Sequence, residues 1–429
     1  MTSEPLPRLA SVPFLVDRWC RRLALQRLAR LRGGQIRLVD GREEQCLGAA
    51  DGQASEAIRL DVHDPRFYRR LVGGGSVGAG ESYIDGDWDV DDLTGLVRLM
   101  ARNQQTTDGL EGGVARLSGL VESGLHRLLR DNSRSGSRRN IAAHYDLGNE
   151  LFGQFLDTRR QYSSAIYESP ADDLEQAGAN KLDRICAKLE LGSGDHLLEI
   201  GTGWGGLAIH AAQRTGCRVT TVTISAEQRA FARQRVEEAG LTDRIEVRFE
   251  DYRQLQGRFS KVVSVEMVEA VGDNHLDEYF AVIDRCLAAD GLALIQAITI
   301  ADRRYARALR EVDFIKKHIF PGSFIPAVSV LCSSAARSSR LVLVNLEDLA
   351  DDYARTLADW RERFEQRWPL IRALGYDERF RRMWRFYLAY CEGGFRERAI
   401  ADVQMLLAAP LWRGRPWRAR TVASGCEPL

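Results

Sequence analysis

The sequence predicts an α/β protein with a parallel, doubly wound sheet, preceded by a smaller α+β domain. Three observations support this prediction. From residue 141 onwards, short apolar segments typical of strands alternate with amphipathic segments typical of helices. One of these strands runs directly into a glycine-rich turn at residues 201–206. The chain also has 429 residues, which is long for one core and favours two domains.

Changes in composition place the domain boundaries. Residues 1–129 are the predicted N-terminal domain, in which 58–88 is the clearest segment. It begins with an alternating strand (IRLDV), and its second half, after residue 73, is predicted to form turns and the entry to a short helix. Residues 130–140 (RDNSRSGSRRN) are polar, rich in Ser, Gly and Arg, and without periodicity, so they are the predicted linker. Residues 141–429 are the predicted second domain.

The second domain is predicted to contain six strands separated by helices such as 226–239. Strands and helices that alternate at this spacing are typical of a Rossmann-like sheet with helices on both faces. The predicted strands are 196–200, 218–223, 245–249, 261–266, 291–298 and 341–345.

The turn after the first of these strands is the most informative segment. Residues 197–206 read LLEIGTGWGG, with four glycines around Trp204. Glycine is needed where the backbone adopts a positive φ or lies against a ligand. A strand that passes through such a turn into a helix forms a cradle for a nucleotide-sized ligand. The fingerprint G-x-G-x-x-G is matched only in part, so dehydrogenases, nucleotide-sugar enzymes and methyltransferases all stay open.

The ends of the next two strands distinguish among these ligands. Dinucleotide enzymes usually end the second strand with an acidic residue that binds the ribose. Here that strand ends TVTIS at residues 221–225, followed by Gln228, with no acidic residue at its end. Asp251 and Tyr252 follow the third strand and offer a carboxylate and an aromatic ring to an adenine. This combination favours S-adenosylmethionine over a nicotinamide cofactor.

Bulk composition excludes several classes of protein. No run of 18 apolar residues is present, so no membrane span is expected. Residues 1–10 lack the features of a secretory signal. The eight cysteines are scattered without a C-x-x-C pair, which argues against structural zinc and a disulfide framework and suits the cytoplasm. We therefore expect a cytoplasmic protein without a bound metal.

Basic residues are clustered although the formal net charge is +0. Residues 18–38 contain seven arginines and no acidic residue, interleaved with apolar side chains. Such a segment lies either on an anionic membrane surface or on a solvated helix face, and both interpretations stay open. No nucleic-acid-binding module is visible, so a nucleic-acid partner is not expected.

Nine segments occur together in the order typical of one enzyme family. They span residues 80–396. In these segments and their order, the chain resembles the cyclopropane-fatty-acyl-phospholipid synthases, which are class I methyltransferases that act on double bonds within lipid acyl chains. Residues 1–79 match less clearly. The segments are GESYIDGDW (80–88), AAHYDLGNELF (142–152), QYSSAIY (161–167), LLEIGTGWGGLAIHAA (197–212), VTISAEQ (222–228), VSVEMVEAVG (263–272), FIKKHIFPG (314–322), DDYARTLADW (351–360) and FYLAYCEGGFR (386–396).

The resemblance implies that residues 141–429 are a methyltransferase domain dependent on S-adenosylmethionine. The implied reaction transfers a methyl(ene) group to the cis double bond of an unsaturated acyl chain in a membrane phospholipid. Methylation leaves a carbocation on the chain, and loss of a proton from the new methyl group closes a cyclopropane. The resemblance also implies peripheral association with the inner face of the membrane. The N-terminal domain would present the phospholipid and form homodimer contacts.

In this family the base that removes the proton is a bound bicarbonate ion, and the resemblance implies the same cofactor here. Glu269 would hold the ion through a shared proton, Tyr353 would donate its hydroxyl, and the backbone groups of Ser164 and Ile298 would complete the cage. Cys391 matches a cysteine that the family has near the site.

Three positions depart from the best-known bacterial pattern. Ser164 replaces the usual Cys, Gln296 replaces the usual His, and Ala270 follows Glu269 in place of His. An amide can still donate a hydrogen bond to bicarbonate but carries no charge. The combination resembles the plant synthases and equally the bacterial enzymes that install a methylene branch. The alternatives are therefore a methylene- or methyl-branched fatty acid, a furan precursor, a non-catalytic lipid-binding protein, or a methyltransferase for a soluble small molecule.

The resemblance also assigns residues to the cofactor. Glycines of the loop would lie against the methionine and ribose, the second strand would end at the ribose and adenine, and the segment QYSSAIY would cover the methionine. The expected cofactor-binding residues are Tyr162, Ser163, Gly201, Gly203, Trp204, Gly205, Thr223, Ile224, Gln228, Asp251 and Tyr252.

Overall fold

The computed structural model describes residues 15–50, 56–103, 148–415 and 417. The chain divides into two compact units. The first unit comprises residues 1–125 with the segments 312–317 and 376–393, and the second comprises 126–311, 318–375 and 394–429. The predicted linker at 130–140 lies outside the described residues. The domain boundaries at 129 and 141 stay a prediction.

The secondary structure of the described residues is numbered in chain order. The strands are β1 (Ile36–Asp40), β2 (Glu43–Leu47), β3 (Ile58–Val62), β4 (Trp88–Val90), β5 (His196–Ile200), β6 (Arg218–Thr223), β7 (Ile245–Phe249), β8 (Phe259–Val265), β9 (Leu287–Ile300), β10 (Val342–Asp348) and β11 (Ile400–Ala408). The helices are α1 (Leu15–Leu28), α2 (Arg66–Ile84), α3 (Leu93–Arg102), α4 (Asn149–Phe155), α5 (Leu174–Lys188), α6 (Gly206–Thr215), α7 (Ala226–Glu238), α8 (Leu276–Cys286), α9 (Asp302–Ala308), α10 (Val328–Ser338), α11 (Ala350–Gln366), α12 (Trp368–Ala373) and α13 (Glu378–Arg396).

The first unit contains a four-stranded sheet in the order β2-β1-β3-β4. Helix α2 contradicts the turns predicted after residue 73, because it continues to Ile84 with a kink at Gly75. Two of its glycines, Gly78 and Gly80, allow close packing. A Cβ added at Gly80 would lie 2.6 Å from the ring of Phe314 and 2.8 Å from that of Phe386.

The second unit contains a seven-stranded sheet in the order β10-β11-β9-β8-β5-β6-β7. Strands β9, β8, β5, β6 and β7 are mutually parallel, and β11 pairs antiparallel with both β9 and the edge strand β10. The six predicted strands are all present, with ends within a few residues of the predictions, whereas β11 was not predicted.

Helices cover both faces of this sheet, and the predicted α/β fold class is confirmed. One apolar cluster joins the sheet to α8 and α10, through residues such as Phe280 and Leu331. A second cluster joins it to α5 and α6, through residues such as Ile185 and Ala211. In the described part of the chain, no helix combines the length and the apolar character that a membrane crossing requires.

Candidate active site

The loop between β5 and α6 forms a cradle at the carboxyl edge of the parallel strands. Gly201, Gly203 and Gly205 have φ values of 104°, 51° and 81°, which a residue with a Cβ adopts only under strain. A Cβ added at Gly203 would meet nothing within 4 Å, whereas one at Gly206 would lie 2.4 Å from the backbone oxygen of Arg159. The loop is therefore packed on one side and open on the other.

A buried carboxylate precedes this cradle. Glu199 on β5 is 3% exposed, and its Oε2 has no hydrogen-bond partner among the described residues. Burial raises the pKa of Glu199 to about 8, although a hydrogen bond to Thr221 and the charge of Lys181 lower it. A positively charged ligand group would supply the missing partner. The open cradle and this carboxylate together fit S-adenosylmethionine, which is nucleotide-sized and cationic.

The residues expected around ribose and adenine follow the neighbouring strands β6 and β7. The hydroxyl of Thr223 donates to Oε1 of Gln228 at 2.9 Å, and Ser225 between them caps α7. Ile224 follows Thr223 directly at the end of β6. These side chains lie at the same sheet edge as the glycine cradle, because β6 pairs in parallel with β5.

The two residues expected at the adenine have different environments. Both carboxylate oxygens of Asp251 accept hydrogen bonds from the Arg253 guanidinium, at 2.9 and 2.7 Å. The ring of Tyr252 meets that of Tyr279 edge to face, with centroids 5.7 Å apart. Any hydrogen bond from an adenine to Asp251 would therefore share the carboxylate with a buried ion pair.

The segment expected over the methionine is held by a buried lysine and by aromatic rings. Lys181 Nζ donates to Ser163 Oγ at 2.7 Å. The ring of Tyr162 stacks on Trp360 with centroids 5.3 Å apart. Trp204 is 2% exposed and donates from Nε1 to Asn149 Oδ1 at 2.6 Å, so it packs beneath the loop.

A cluster of three carboxyl groups lies where β8 ends and β9 pairs with β11: Glu266 and Glu269 are half-buried, and Asp402 on β11 is buried. Glu266 follows β8 directly and accepts three hydrogen bonds. Oε1 accepts from the backbone N–H of Ser164 at 2.8 Å and from Nε2 of Gln296 at 3.0 Å, and Oε2 accepts from the hydroxyl of Tyr353 at 2.7 Å. We call these three donors the anion cage. Glu266 is not among the site residues expected from the sequence.

Two further carboxyl groups complete the cluster. Glu269 Oε1 accepts from the backbone N–H of Ile298 at 2.6 Å, and Asp402 Oδ2 accepts from Gln296 Nε2 at 2.8 Å. The other oxygen of each has no partner among the described residues. Burial, then the charge of Glu266, raises the pKa of Glu269 to about 8, and the same two causes raise that of Asp402 well above its ordinary value.

The structure thus brings together five of the six residues expected to be catalytic, around a carboxylate that was not expected. Cys391 belongs to the first unit, on α13; burial raises the pKa of its thiol, and its expected role stays a prediction. The signal for Glu266 in the sequence is its position, directly after a buried strand and three residues before Glu269.

The predicted bicarbonate ion does not fit this arrangement. The cage donors of Ser164 and Tyr353, which were assigned to the ion, hydrogen-bond to Glu266. The N–H of Ile298, also assigned to it, hydrogen-bonds to Glu269. A bicarbonate ion would have to compete with the carboxylates of Glu266 and Glu269 for every one of these donors.

Comparisons with known proteins agree with this architecture. The sequence model of the mycolic acid cyclopropane synthetase family matches residues 132–405. The tuberculostearic acid methyltransferase UfaA1 of Mycobacterium tuberculosis is 40% identical over 367 residues, covering 81% of this chain and 82% of the relative. The cyclopropane-fatty-acyl-phospholipid synthase of Escherichia coli K12 is 39% identical over 375 residues, covering 85% of this chain and 91% of the relative.

Two solved structures are also similar. The cyclopropane synthase MmaA2 from Mycobacterium tuberculosis has a TM-score of 0.59 at 29% identity, covering 63% of this chain and 98% of its own. The mycolic acid cyclopropane synthase CmaA1, in complex with S-adenosylhomocysteine (SAH) and CTAB, has a TM-score of 0.59 at 28% identity, with the same coverage.

Proposed function

The chain belongs to the mycolic acid cyclopropane synthetase family of S-adenosylmethionine-dependent methyltransferases, and from this premise we propose its specific reaction. It transfers a methyl(ene) group from S-adenosylmethionine to the cis double bond of an unsaturated acyl chain in a membrane phospholipid. The product is a cyclopropane fatty acyl chain. The family supports methylation of unsaturated fatty acyl chains, and the phospholipid and the ring are the parts that we propose.

One observation supports this reaction most strongly. The glycine cradle follows β5 and the carboxyl cluster follows β8, and these strands are parallel neighbours in the sheet. The cradle that we assign to the cofactor and the carboxyl cluster therefore share one sheet edge. An isolated alkene is a weak nucleophile, so methylation requires alignment of the two reactants and exclusion of water. The cation formed on the acyl chain then requires a base.

We assign roles to this chain's residues accordingly. When bound, S-adenosylmethionine supplies an electrophilic methyl group. The glycine cradle and Glu199 hold its methionine and ribose portions, and Thr223 and Gln228 orient the nucleoside. The stacked rings of Tyr162 and Trp360 shield the reacting groups from water, and an aromatic face also stabilises a nearby cation.

A methylene- or methyl-branched product is the second candidate. Gln296 and Ala270 motivate it, because both depart from the best-known bacterial pattern in a combination that resembles the branch-forming enzymes as much as the plant synthases. The two reactions share the methylation of the alkene and differ in the later rearrangement of the cation. A conjugated diene as substrate would lead instead to a furan precursor.

We further propose that the enzyme works at the inner face of the membrane and as a homodimer. Helix α1 supports the first part: Val16 and Trp19 are each 57% exposed, and they are neighbours of the basic residues Arg18 and Arg22. An apolar and basic surface of this kind suits anionic lipid headgroups. The homodimer rests on the resemblance of the N-terminal domain.

The test is incubation of the purified protein with methyl-labelled S-adenosylmethionine and vesicles of a mono-unsaturated phospholipid. The proposal expects label in the acyl chains, and an absence of label there would overturn it. A ring and a methylene branch have the same mass. Catalytic hydrogenation before mass spectrometry distinguishes them, because a methylene branch takes up hydrogen under conditions that leave a cyclopropane intact.

A further inference from the structure

The Glu266 carboxylate has the surroundings of a bound anion. Its three hydrogen bonds come from the segment before α5, from β9 and from α11, that is from the N–H of Ser164, the amide of Gln296 and the hydroxyl of Tyr353. Donors that converge from separate elements on one carboxylate form a strong, charge-assisted site. The fold therefore holds an anion at a fixed point beside the cofactor cradle.

A carboxylate side chain and a bicarbonate ion present the same pair of oxygens to such donors. The donors at Ser164 and Tyr353 are those that the resemblance assigns to bicarbonate, and here they bind Glu266. We infer that the Glu266 carboxylate replaces the bicarbonate ion in this enzyme and is itself the catalytic base. This inference rests on the proposed function, because it names the group that completes that reaction.

From the distribution of hydrogen bonds we assign the negative charge of the cluster to Glu266. A buried carboxylate stays ionised only when donors or cations compensate for the lost water. Glu266 accepts from three other residues, whereas Glu269 and Asp402 each accept from one other residue and keep a second oxygen without a hydrogen-bond partner among the described residues. Glu269 and Asp402 therefore hold protons, and Glu266 is free to accept one.

A buried cation supports this assignment. Lys181 has no exposed surface, and its charge is attractive to Glu266. Burial raises the pKa of Glu266 above its ordinary value, and the hydrogen bonds from Tyr353 and Ser164 and the charge of Lys181 offset part of this rise. The opposing effects suit a group that must be ionised before the reaction and protonated after it.

The backbone at Glu266 is a second, independent observation. Its φ is 46°, in the left-handed region that residues with a Cβ rarely occupy. Such a conformation persists only where the surroundings fix it, and it is concentrated at functional sites. Here its N–H donates to the backbone oxygen of Gln296 at 2.9 Å, which ties the strained residue to β9 and directs its side chain into the cage.

The reaction balances with Glu266 as the base. The alkene electron pair forms a bond to the transferred methyl carbon, the carbon–sulfur bond breaks, and its electrons stay on sulfur. Positive charge remains on the adjacent acyl carbon. Glu266 Oε2 takes a proton from the added methyl group, and the released C–H electron pair forms the third bond of the ring. The proton then leaves to solvent, so the products are the cyclopropane lipid, SAH and one proton.

The first experiment uses the wild-type protein with mono-unsaturated phospholipid vesicles in buffer freed of carbon dioxide. We expect the rate of methyl incorporation to be unchanged when sodium bicarbonate is added back. A rate of methyl incorporation that falls sharply without bicarbonate and recovers when bicarbonate is added would overturn the inference. An absence of labelled lipid both with and without bicarbonate would instead refute the proposed function. The inference that Glu266 is the base would then fail with it.

The second experiment uses variants. Glu266→Gln should lower the rate by about 10²–10⁴-fold, as expected for loss of a general base. Glu266→Gly suits the positive φ and empties the cage, so added bicarbonate should restore part of its activity. The control Glu246→Gln, on the exposed side of β7, should behave as wild type. An undiminished rate in Glu266→Gln would overturn the inference.

A third measurement needs neither lipid nor methyl transfer. The line width of ¹³C-labelled bicarbonate is recorded by NMR in the presence of each protein, after circular dichroism and SAH binding have established that it is folded. We expect broadening with Glu266→Gly and none with the wild type. Broadening with the wild type that Tyr353→Phe abolishes would show bicarbonate in the cage and overturn the inference.

Discussion

The Tyr353 hydroxyl donates to Glu266 Oε2 at 2.7 Å, and this bond joins α11 to the end of β8. Tyr353 is also fixed from its other side, because its ring stacks on Phe395 with centroids 4.4 Å apart. The hydroxyl therefore has one position, and the carboxylate that it binds has one orientation. Several expected effects of substitution follow from this geometry.

Tyr353→Phe removes one donor from the Glu266 carboxylate and leaves the ring in place. A hydrogen bond to a charged group contributes about 1.5–3 kcal/mol, so we expect kcat to fall by about 10–10²-fold. The matched control is Tyr167→Phe, which removes a hydroxyl that donates to Asp359 at 2.7 Å. Steady-state kinetics should show a loss in the first variant alone, and equal losses in both would contradict the role given to Tyr353.

Stability should depend on pH through Glu269. The pKa of Glu269 is about 8 in the folded protein, against an ordinary value of 4.5. Between these values the folded state binds a proton that the unfolded state has released, so stability decreases as the pH rises through this window. We expect Glu269→Gln, which cannot titrate, to show a smaller decrease in unfolding temperature from pH 5 to 8.

Glu246→Gln is the control for that measurement. The hydrogen bond from Arg248 lowers the pKa of Glu246, so this group titrates below the same window. Its profile of unfolding temperature against pH should parallel that of the wild type above pH 5. A Glu269→Gln profile that also ran parallel to the wild type would show that Glu269 does not hold its proton there.

Gly203→Ala tests the cradle. The substitution is strained by the φ of 51°, and the new methyl group would point into open space where we place the cofactor. Gly240→Ala is a matched control, with a φ of 67° and equally open surroundings after α7. Both variants should lose similar stability, about 1 kcal/mol. Calorimetry should show weaker SAH binding for Gly203→Ala alone, and equal affinities would place the cofactor elsewhere.

Gly80→Ala should destabilise the first unit. The added Cβ would approach the rings of Phe314 and Phe386 to within 2.8 Å, and overpacking of this kind costs about 1–3 kcal/mol. Gly74→Ala lies in the same helix α2 and meets nothing within 4 Å, so it should be neutral or stabilising. The measurement is the unfolding temperature of each variant. A lower unfolding temperature for Gly74→Ala than for Gly80→Ala would contradict this packing.

Much of the second unit could be predicted from sequence because its strands are apolar runs bounded by turn residues. Strands β5, β6 and β7 begin and end where the pattern places them. Strand β11 was missed because IADVQMLLA includes an unbroken apolar run, which periodicity cannot distinguish from a buried helix. The prediction for helix α2 was wrong because its glycines look like turn residues, whereas Gly78 and Gly80 serve close packing within the helix.

The role of Glu266 could not be predicted from local pattern. Its donors at Ser164 and Tyr353 are 102 and 87 residues away in the chain, and only the fold brings them to one carboxylate. The resemblance instead assigns a role in the site to Glu269, which lies three residues further along the chain. The residues around the carboxylate could therefore be predicted from the sequence, whereas Glu266 itself could not.

Mass spectrometry of the lipid made from S-adenosylmethionine with a trideuterated methyl group tests the central claim most directly. The account predicts a product whose acyl chain retains two deuterium atoms, because the third is removed from the added methyl group after transfer to the double bond. A product that retains all three would contradict it, since the proton would then have left another carbon. A lipid without deuterium would show that the chain does not methylate acyl double bonds.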